Sequence, residues 1–423
     1  MNTTVNHDLR TFVRTTDDEG FARLALADSP RFRVVDLYGP LVEARTRAAV
    51  HQTTQANLLE SADYRRIDAY QDVPWACALS FEAAQQTLSH PAMSSTIWDR
   101  TIGQVWGHTI IGMDGEEHRV HRGLISQAFT RKSLSQWEDT VIRPVIDGLI
   151  DRFVERGSVE LSREFTLMFP VYIITELLDL PTGDIEKFHT WAAETITVFY
   201  DYDRAIAASK ALNDYLDPIV DARRDNPGND MISVLATAEL EGKRLSNVDI
   251  ISFVRLLLPA GGETTFRSTG SLLLGLLRHP EQLAAVTAER QLLSSAMEEG
   301  LRWEPPLTSI NRIALDDAEI AGTPIAAGTI VECALGVANR DPQRWDNPHE
   351  FDIHRIRKPH IAFAWGAHSC LGTHLAKLEM RIAVDTLLDR LPNLRLDPAA
   401  DPEPVVRGIG LRSPNHLPVL FDA

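Results

Sequence analysis

The sequence predicts a mainly α-helical protein with a small β region. Apolar residues recur at helical spacing from about Thr130 to Leu301, and the run from Ser246 to His279 reads as one long helix. The β-like runs are short, bounded by turn residues and placed toward the two ends of the chain.

Among the helical segments, WEDTVIRPVIDGLIDRFVERG keeps the apolar spacing, and DRAIAASKALNDYLDPIVDARRDNPG keeps it until a Pro-Gly pair stops it. The long helix starts at Ser246, with Asp249 three residues on as in a capping box, and ends before Pro280. At about 1.5 Å per residue it spans roughly 50 Å. Glu263 and Arg267 at its middle exclude a membrane span, because charges there are costly in lipid. Strands are expected in FRVVDLY from Phe32, in the stretch Ile313 to Leu335, and in HLPVLF near the end. The expectation is a single domain over 1–423, with β-rich portions near 30–80, 313–335 and the C-terminus. Its helical core covers 110–305 and 371–391. No linker or low-complexity tract divides the chain.

Composition narrows the function. The chain has 423 residues, 44% apolar and 24% charged, enough to bury a large core and a bulky cofactor. A formal charge of -17 repels nucleic-acid phosphates. MNTTVNHDLR lacks the features of a secretory signal, so a cytoplasmic protein with no membrane attachment is expected. Cys77, Cys333 and Cys370 are odd in number and far apart, which argues against disulfides and CxxC sites. His118 with His121, and His349 with His354, lack the spacing of a zinc pair. With no GxGxxG or GxxxxGK[ST] run, nicotinamide or flavin chemistry must come from another protein.

Two segments carry chemistry. In FAWGAHSCLG, Phe363 to Gly372, Cys370 sits just before a helix, where unpaired N–H groups and the macrodipole favour a thiolate. Gly366 and Gly372 permit a tight turn, and Phe363 and Trp365 exclude water; taken alone, a cysteine in Cys370's place reads far more often as a small buried hydrophobe. In LLLPAGGETTFRS, Pro259 removes a donor at a cost of roughly 3 kcal/mol, and Gly261 and Gly262 cost about 1 kcal/mol each. Such a helix either packs against a neighbour or opens to make room, and opening is the expectation. Glu263 and Thr264 beside that gap form a proton-relay pair, or Glu263 pairs with Arg267 on a solvated face. Glu299 and Arg302 share a helix face, as do His118 and Arg122, a pair suited to a carboxylate or to a plain surface.

FAWGAHSCLG resembles the haem-binding signature of the cytochrome P450 family, FGxGxHxCxG, at Phe363, Gly366, His368, Cys370 and Gly372. It departs at Ala364, which is tolerated there if φ stays below zero. AGGETT, Ala260 to Thr265, resembles the family's oxygen-activation segment; EEGLRW with FDIHR resembles its Glu299, Arg302 and Arg355 scaffold. The segment around His118 and Arg122 is similar to the propionate-binding helix, and Arg312 holds the position of a further propionate partner.

The resemblance implies a triangular-prism fold with haem b, iron protoporphyrin IX, between the long helix and the cysteine loop. It assigns Cys370 as axial iron ligand and His368, His118, Arg122 and Arg312 to the propionates, with Phe363, Gly366 and Ala260 lining the cofactor. Glu263 and Thr264 deliver protons to dioxygen, and a thiolate trans to oxygen favours O–O cleavage. The implied activity is monooxygenation of a small, hydrophobic substrate, hydroxylating or epoxidising it with electrons from a ferredoxin and its NAD(P)H-dependent reductase. A peroxide-using haem enzyme and a non-catalytic haem sensor are the alternatives. The acidic donor is expected at a basic patch drawn from Arg119, Arg131, Lys132, Arg357, Lys358, Lys377 and Arg381. Substrate contacts are expected from Thr96 to Trp106, Phe188 to Phe199, Leu256 to Ala260, Leu307 to Ile310 and Gly408 to Gly410.

Overall fold

The computed structural model describes residues 34–60, 72–199 and 201–423. The elements that frame the site begin with α1 (Tyr38–Arg47), β1 (Val50–His51), β2 (Trp75–Ala78), α2 (Phe81–Ser89) and β3 (Met93–Ser94). Then come α3 (Ile97–Thr101), α4 (Gly103–Trp106), α5 (Gly115–Ser126), α6 (Arg143–Ile150), β4 (Ser158–Glu160), α7 (Met168–Leu177), α8 (Ile185–Ile196) and α9 (Tyr202–Asp225). The second half supplies α10 (Asn247–Arg278), α11 (Leu293–Trp303), β5 (Ile310–Ala314), β6 (Ala318–Ile320), β7 (Thr323–Ile325), β8 (Ile330–Cys333) and α12 (Thr373–Arg390). Four short strands close the chain: β9 (Arg395–Leu396), β10 (Val406–Arg407), β11 (Ser413–Pro414) and β12 (Pro418–Leu420).

The protein is mainly α with a small β region, as expected. α10 starts at the anticipated capping box: the Asp249 N–H donates to Ser246 Oγ at 3.1 Å, and Asp249 Oδ2 accepts from the Ser246 N–H at 2.8 Å. It packs against α7, α8, α9, α11 and α12, so nearly its whole circumference is buried. Among the described residues, no helix is long and apolar enough to cross a membrane.

The largest sheet has the strand order β1-β2-β8-β5-β3, with β2 and β8 parallel and the other pairs antiparallel. Trp75 lies opposite Ile330, and Arg312 on β5 lies opposite Val331. β4, β12 and β9 make a three-stranded sheet, while β6–β7 and β10–β11 stand as pairs.

The strand expected in FRVVDLY is absent: Val34 to Leu37 are not extended in a sheet and Tyr38 opens α1, while Phe32 and Arg33 lie outside the described residues. The apolar residues Leu37, Tyr38, Leu41 and Ala44 recur at helical spacing and pack against Cys77, Leu79, Ala334 and Val337, which a strand register could not do. The β character near 30–80 is therefore confined, among the described residues, to β1 and β2.

Candidate active site

The loop from Phe363 to Gly372 is closed by a hydrogen bond from the Cys370 N–H to the Phe363 carbonyl at 2.9 Å, and α12 begins at Thr373. Gly366 has φ of +73°, and a Cβ there would lie 2.9 Å from the Leu88 carbonyl oxygen, so glycine is required. Ala364 does not meet the condition for its tolerance. Its φ is +59°, in the left-handed region, where an alanine costs about 1–2 kcal/mol.

Of the three cysteines, Cys77 and Cys333 are buried and Cys370 is exposed. A ligand can reach the Cys370 sulfur, yet protein surrounds it closely enough that burial pushes the thiol up. The backbone of Gly372 and Thr373, the Thr373 side chain and the Arg122 charge all pull the other way, without prevailing. The helix start alone therefore does not yield the thiolate that the sequence promised. A metal does so outright when it coordinates sulfur.

A group of hydrogen-bond donors gathers on α5 and β5, and Arg122 among them lies near enough for its charge to act on the Cys370 sulfur. His118 on α5 is 5% exposed with no partner for Nε2, and Arg312 on β5 is 2% exposed with no partner for Nη2. Burial, together with the charges of His368 and Arg122, brings His118 down to about 4. Its ring lies 4.1 Å from that of His368. Arg122 Nη2 donates to the Ser369 carbonyl at 2.8 Å, tying α5 to the loop. His368 is engaged elsewhere than expected: Nε2 contacts Asp114 Oδ1 and Ser95 Oγ, each at 2.9 Å. Burial raises Asp114, but the hydrogen bonds from His368, Ser94 and Ser95 outweigh it and hold the carboxyl well below its usual range. Nothing in the residue pattern points to Asp114 beyond its place just ahead of α5.

Buried polar atoms are rarely left without partners. Two such donors, in a cluster whose Arg122 acts on a reachable sulfur, fit a group with a metal for the sulfur and carboxylates for the donors, which is the chemistry of iron protoporphyrin.

The α10 midpoint differs from the expected opening: the helix is continuous through Pro259. A Cβ on Gly261 would lie 2.7 Å from Ile174 and one on Gly262 3.1 Å from Val171, so the glycines bring α7 close. Ala260 is exposed and Thr264 half-buried. The Thr264 hydroxyl donates to the Ala260 carbonyl at 2.7 Å, not to Glu263. Glu263 pairs with Arg267 at 2.7 Å, but both are buried, so the solvated-face reading fails as well. Burial raises Glu263 against the pull of Arg267.

Glu299 grips Arg302 through both oxygens at 2.7 Å and also accepts from Arg355 Nε at 3.2 Å. Remaining Arg302 donors reach the carbonyls of Asn339, Pro348 and Glu350. Just past the helix, Glu304 collects Arg340 at 2.9 Å, Arg412 at 3.1 Å and the Tyr38 hydroxyl at 3.0 Å.

The cytochrome P450 family model matches residues 196–418. The chain belongs to that family. Pulcherriminic acid synthase of Bacillus subtilis is 33% identical over 86% of this chain and 91% of its own. Pentalenic acid synthase of Streptomyces avermitilis is 34% identical over 86% and 92%. Among solved structures, CYP109E1 of Bacillus megaterium with testosterone superposes at a TM-score of 0.78, with 26% identity, over 90% of this chain and 98% of that one. This cytochrome P450 is accordingly an oxidoreductase with the family's monooxygenase chemistry, activating dioxygen at a haem. It has the family's triangular-prism fold and draws electrons from redox partners.

Several outer residues are committed elsewhere. Lys377 pairs with Glu298 at 2.6 Å, Arg381 with Glu138 at 2.9 Å, and Arg119 with Glu116 and Glu241 at 2.7 Å each. Arg131, Lys132, Arg357 and Lys358 are exposed. Arg357 donates to the Ser295 hydroxyl and Lys358 to the Arg344 carbonyl, neither a carboxylate. Among the segments expected to touch substrate, Phe188 is fully buried against Trp191 and Tyr215 and belongs to the core.

Proposed function

We propose that the chain acts as one domain over 1–423 and inserts one atom of dioxygen into a small hydrophobic organic molecule, by hydroxylation or epoxidation. The observation that carries the reading is the reachable Cys370 sulfur together with the unpartnered buried donors of His118 and Arg312. Cys370 would hold the iron of haem b, His118, Arg122 and Arg312 the propionates, and Phe363, Gly366 and Ala260 would line the ring; His368 would join the propionates on giving up its contact with Asp114 or Ser95. The haem supplies the two-step electron uptake and oxygen activation that no side chain can provide.

The chain's own residues do the rest. Gly366 lets the loop turn tightly, and the Gly372 and Thr373 N–H groups direct partial positive charge at sulfur. Thr264 offers a hydroxyl on the exposed stripe of α10 that also carries Ala260, and Glu263, one position before it, holds a buried carboxyl group that burial biases toward its protonated form, as proton source. Three unpaired thiols suit the reducing cytoplasm. A ferredoxin, itself reduced by an NAD(P)H-dependent reductase, would dock on exposed cations with no carboxylate partner among the described residues, Arg131, Lys132, and Arg357 and Lys358 next to Ile356, which is 82% exposed.

The test is the optical spectrum of the reduced, carbon monoxide-treated protein. The wild type shows the thiolate-type Soret band and Cys370→Ala loses it; retention in the variant overturns the assignment. Turnover with hydrogen peroxide but never with NAD(P)H and donor proteins would replace the monooxygenase by a peroxygenase. Spin-state titration of the ferric protein then sorts candidate substrates.

A further inference from the structure

Arg267 has the largest side chain among the fully buried residues, and the chemistry described so far gives it no task. It lies on α10 with its guanidinium 4.6 Å from the Phe266 ring. Nη2 and Nε reach Glu263 at 2.7 and 3.2 Å, both on Oε2. Nη1 reaches across to Ser413 Oγ at 3.0 Å.

That geometry differs from the Glu299–Arg302 pair, where both carboxylate oxygens are taken side-on. End-on contact at one oxygen leaves Oε1 free to accept from something else. Arg267 is also the one charged group acting on Glu263 among the described residues.

Ser413 brings in a second region. It opens β11, pairs with Arg407 on β10, and closes a hairpin whose connection carries Gly408 and Gly410 at φ of +118° and +82°. The hairpin is tied to the segment after α11 by the Thr308 N–H to the Gly410 carbonyl at 2.7 Å, the Gly410 N–H to Thr308 Oγ1 at 3.0 Å, and a bridge between Leu307 and Leu411. Residues 307–310 and 408–410 are two of the segments assigned to substrate contact. Ser413 begins the strand that follows this connection, and it is hydrogen-bonded to Arg267.

We infer that Arg267 is a positioning residue: it orients the Glu263 carboxylate and, through Ser413, makes that orientation depend on the C-terminal hairpin bordering the substrate site. The inference rests on Glu263 being the proton source. It adds that proton supply is tuned to substrate occupancy by a three-residue chain spanning α10 and β11.

The experiment uses the haem-loaded enzyme with its donor proteins and a substrate found by spin-state titration. Arg267→Gln, Arg267→Lys, Ser413→Ala and Glu263→Gln are compared for haem content, for the share of NAD(P)H electrons recovered in product rather than hydrogen peroxide, and for the pH profile of that share. Infrared difference spectra between substrate-free and substrate-bound protein give a readout apart from turnover, through the protonated carboxyl band that Glu263→Gln removes.

Arg267→Gln is expected to move the pH midpoint of coupling upward by roughly one pH unit or more, because the carboxylate loses its cation. Arg267→Lys restores part of that shift. Ser413→Ala, the mild variant that keeps the ion pair, is expected to load haem normally and to abolish the substrate-induced change in the carboxyl band. If Glu263→Gln uncouples the enzyme while Arg267→Gln and Ser413→Ala leave pH profile and infrared band as in the wild type, the positioning role is wrong and the proton source stands. If Glu263→Gln itself leaves coupling and pH profile untouched, the proton source is wrong and the inference falls with it.

Discussion

The α11 region and the interior between α10 and α12 both bury glutamates, and they treat them oppositely. Around α11, Glu299 and Glu304 are saturated by arginines, a tyrosine and backbone groups. In the interior, Glu263 has one arginine on one oxygen, and Glu379 on α12 is 2% exposed with no partner for Oε2. Saturated buried charges lock a geometry, whereas under-partnered ones stay available for chemistry or are carried as a cost. Identical helical spacing therefore says little about role until the count of partners is known.

Four measurements bear on this contrast. The largest effect is expected from Glu299→Ala, which strands Arg302 and Arg355 in the core and should remove about 3–5 kcal/mol of stability. Near-normal denaturation midpoints and haem yield in that variant would break the comparison outright.

Glu379 comes next. Burial raises its carboxyl well above the ordinary value, so the folded protein holds a proton that the unfolded chain releases. The stability this provides is fully present below the unfolded carboxyl value and is lost as pH rises toward the folded one, by up to about 1.4 kcal/mol per pH unit. Glu379→Gln should track the wild type at acid pH and overtake it progressively toward pH 8; parallel melting curves across pH would show Glu379 to be partnered after all.

A double-mutant cycle on Glu263 and Arg267 should give a coupling of about 1–2 kcal/mol. A value above that for Glu299 with Arg302 would reverse the ranking of the two regions. Last, Ala364→Gly relieves the left-handed alanine, and a gain of about 1 kcal/mol is expected, read as a melting temperature about 1–2 °C higher. No gain would mean that strain at the cysteine loop is absorbed elsewhere and that charge is the sole cost separating the regions.

Much of the architecture was legible because it is local. The Ser246 and Asp249 box, the Pro-Gly stop after α9 and the β5 to β8 strands follow from short-range rules. α1 departs from the strand expected there because seven residues of apolar and charged character fit either period, and only the packing of Leu41 and Ala44 decides. At the site, residue types were readable while their partners were not. His368 with Asp114, and Arg267 with Ser413, are contacts between residues 254 and 146 positions apart, beyond any periodicity. The sign of the Cys370 shift was misjudged for the same reason: a helix start can be read from sequence, but burial depends on everything that folds around it.

The parallel pairing of β2 with β8 has a consequence for biosynthesis. The Gln55 N–H donates to Glu332 Oε2 across 277 residues, and Trp75 meets Ile330 nearby. At about 5–20 residues per second the ribosome needs roughly 13–51 s to go from Trp75 to its partner Ile330. Throughout this wait one edge of the WACA strand has nothing to pair with, which makes the nascent chain a natural client for holding chaperones.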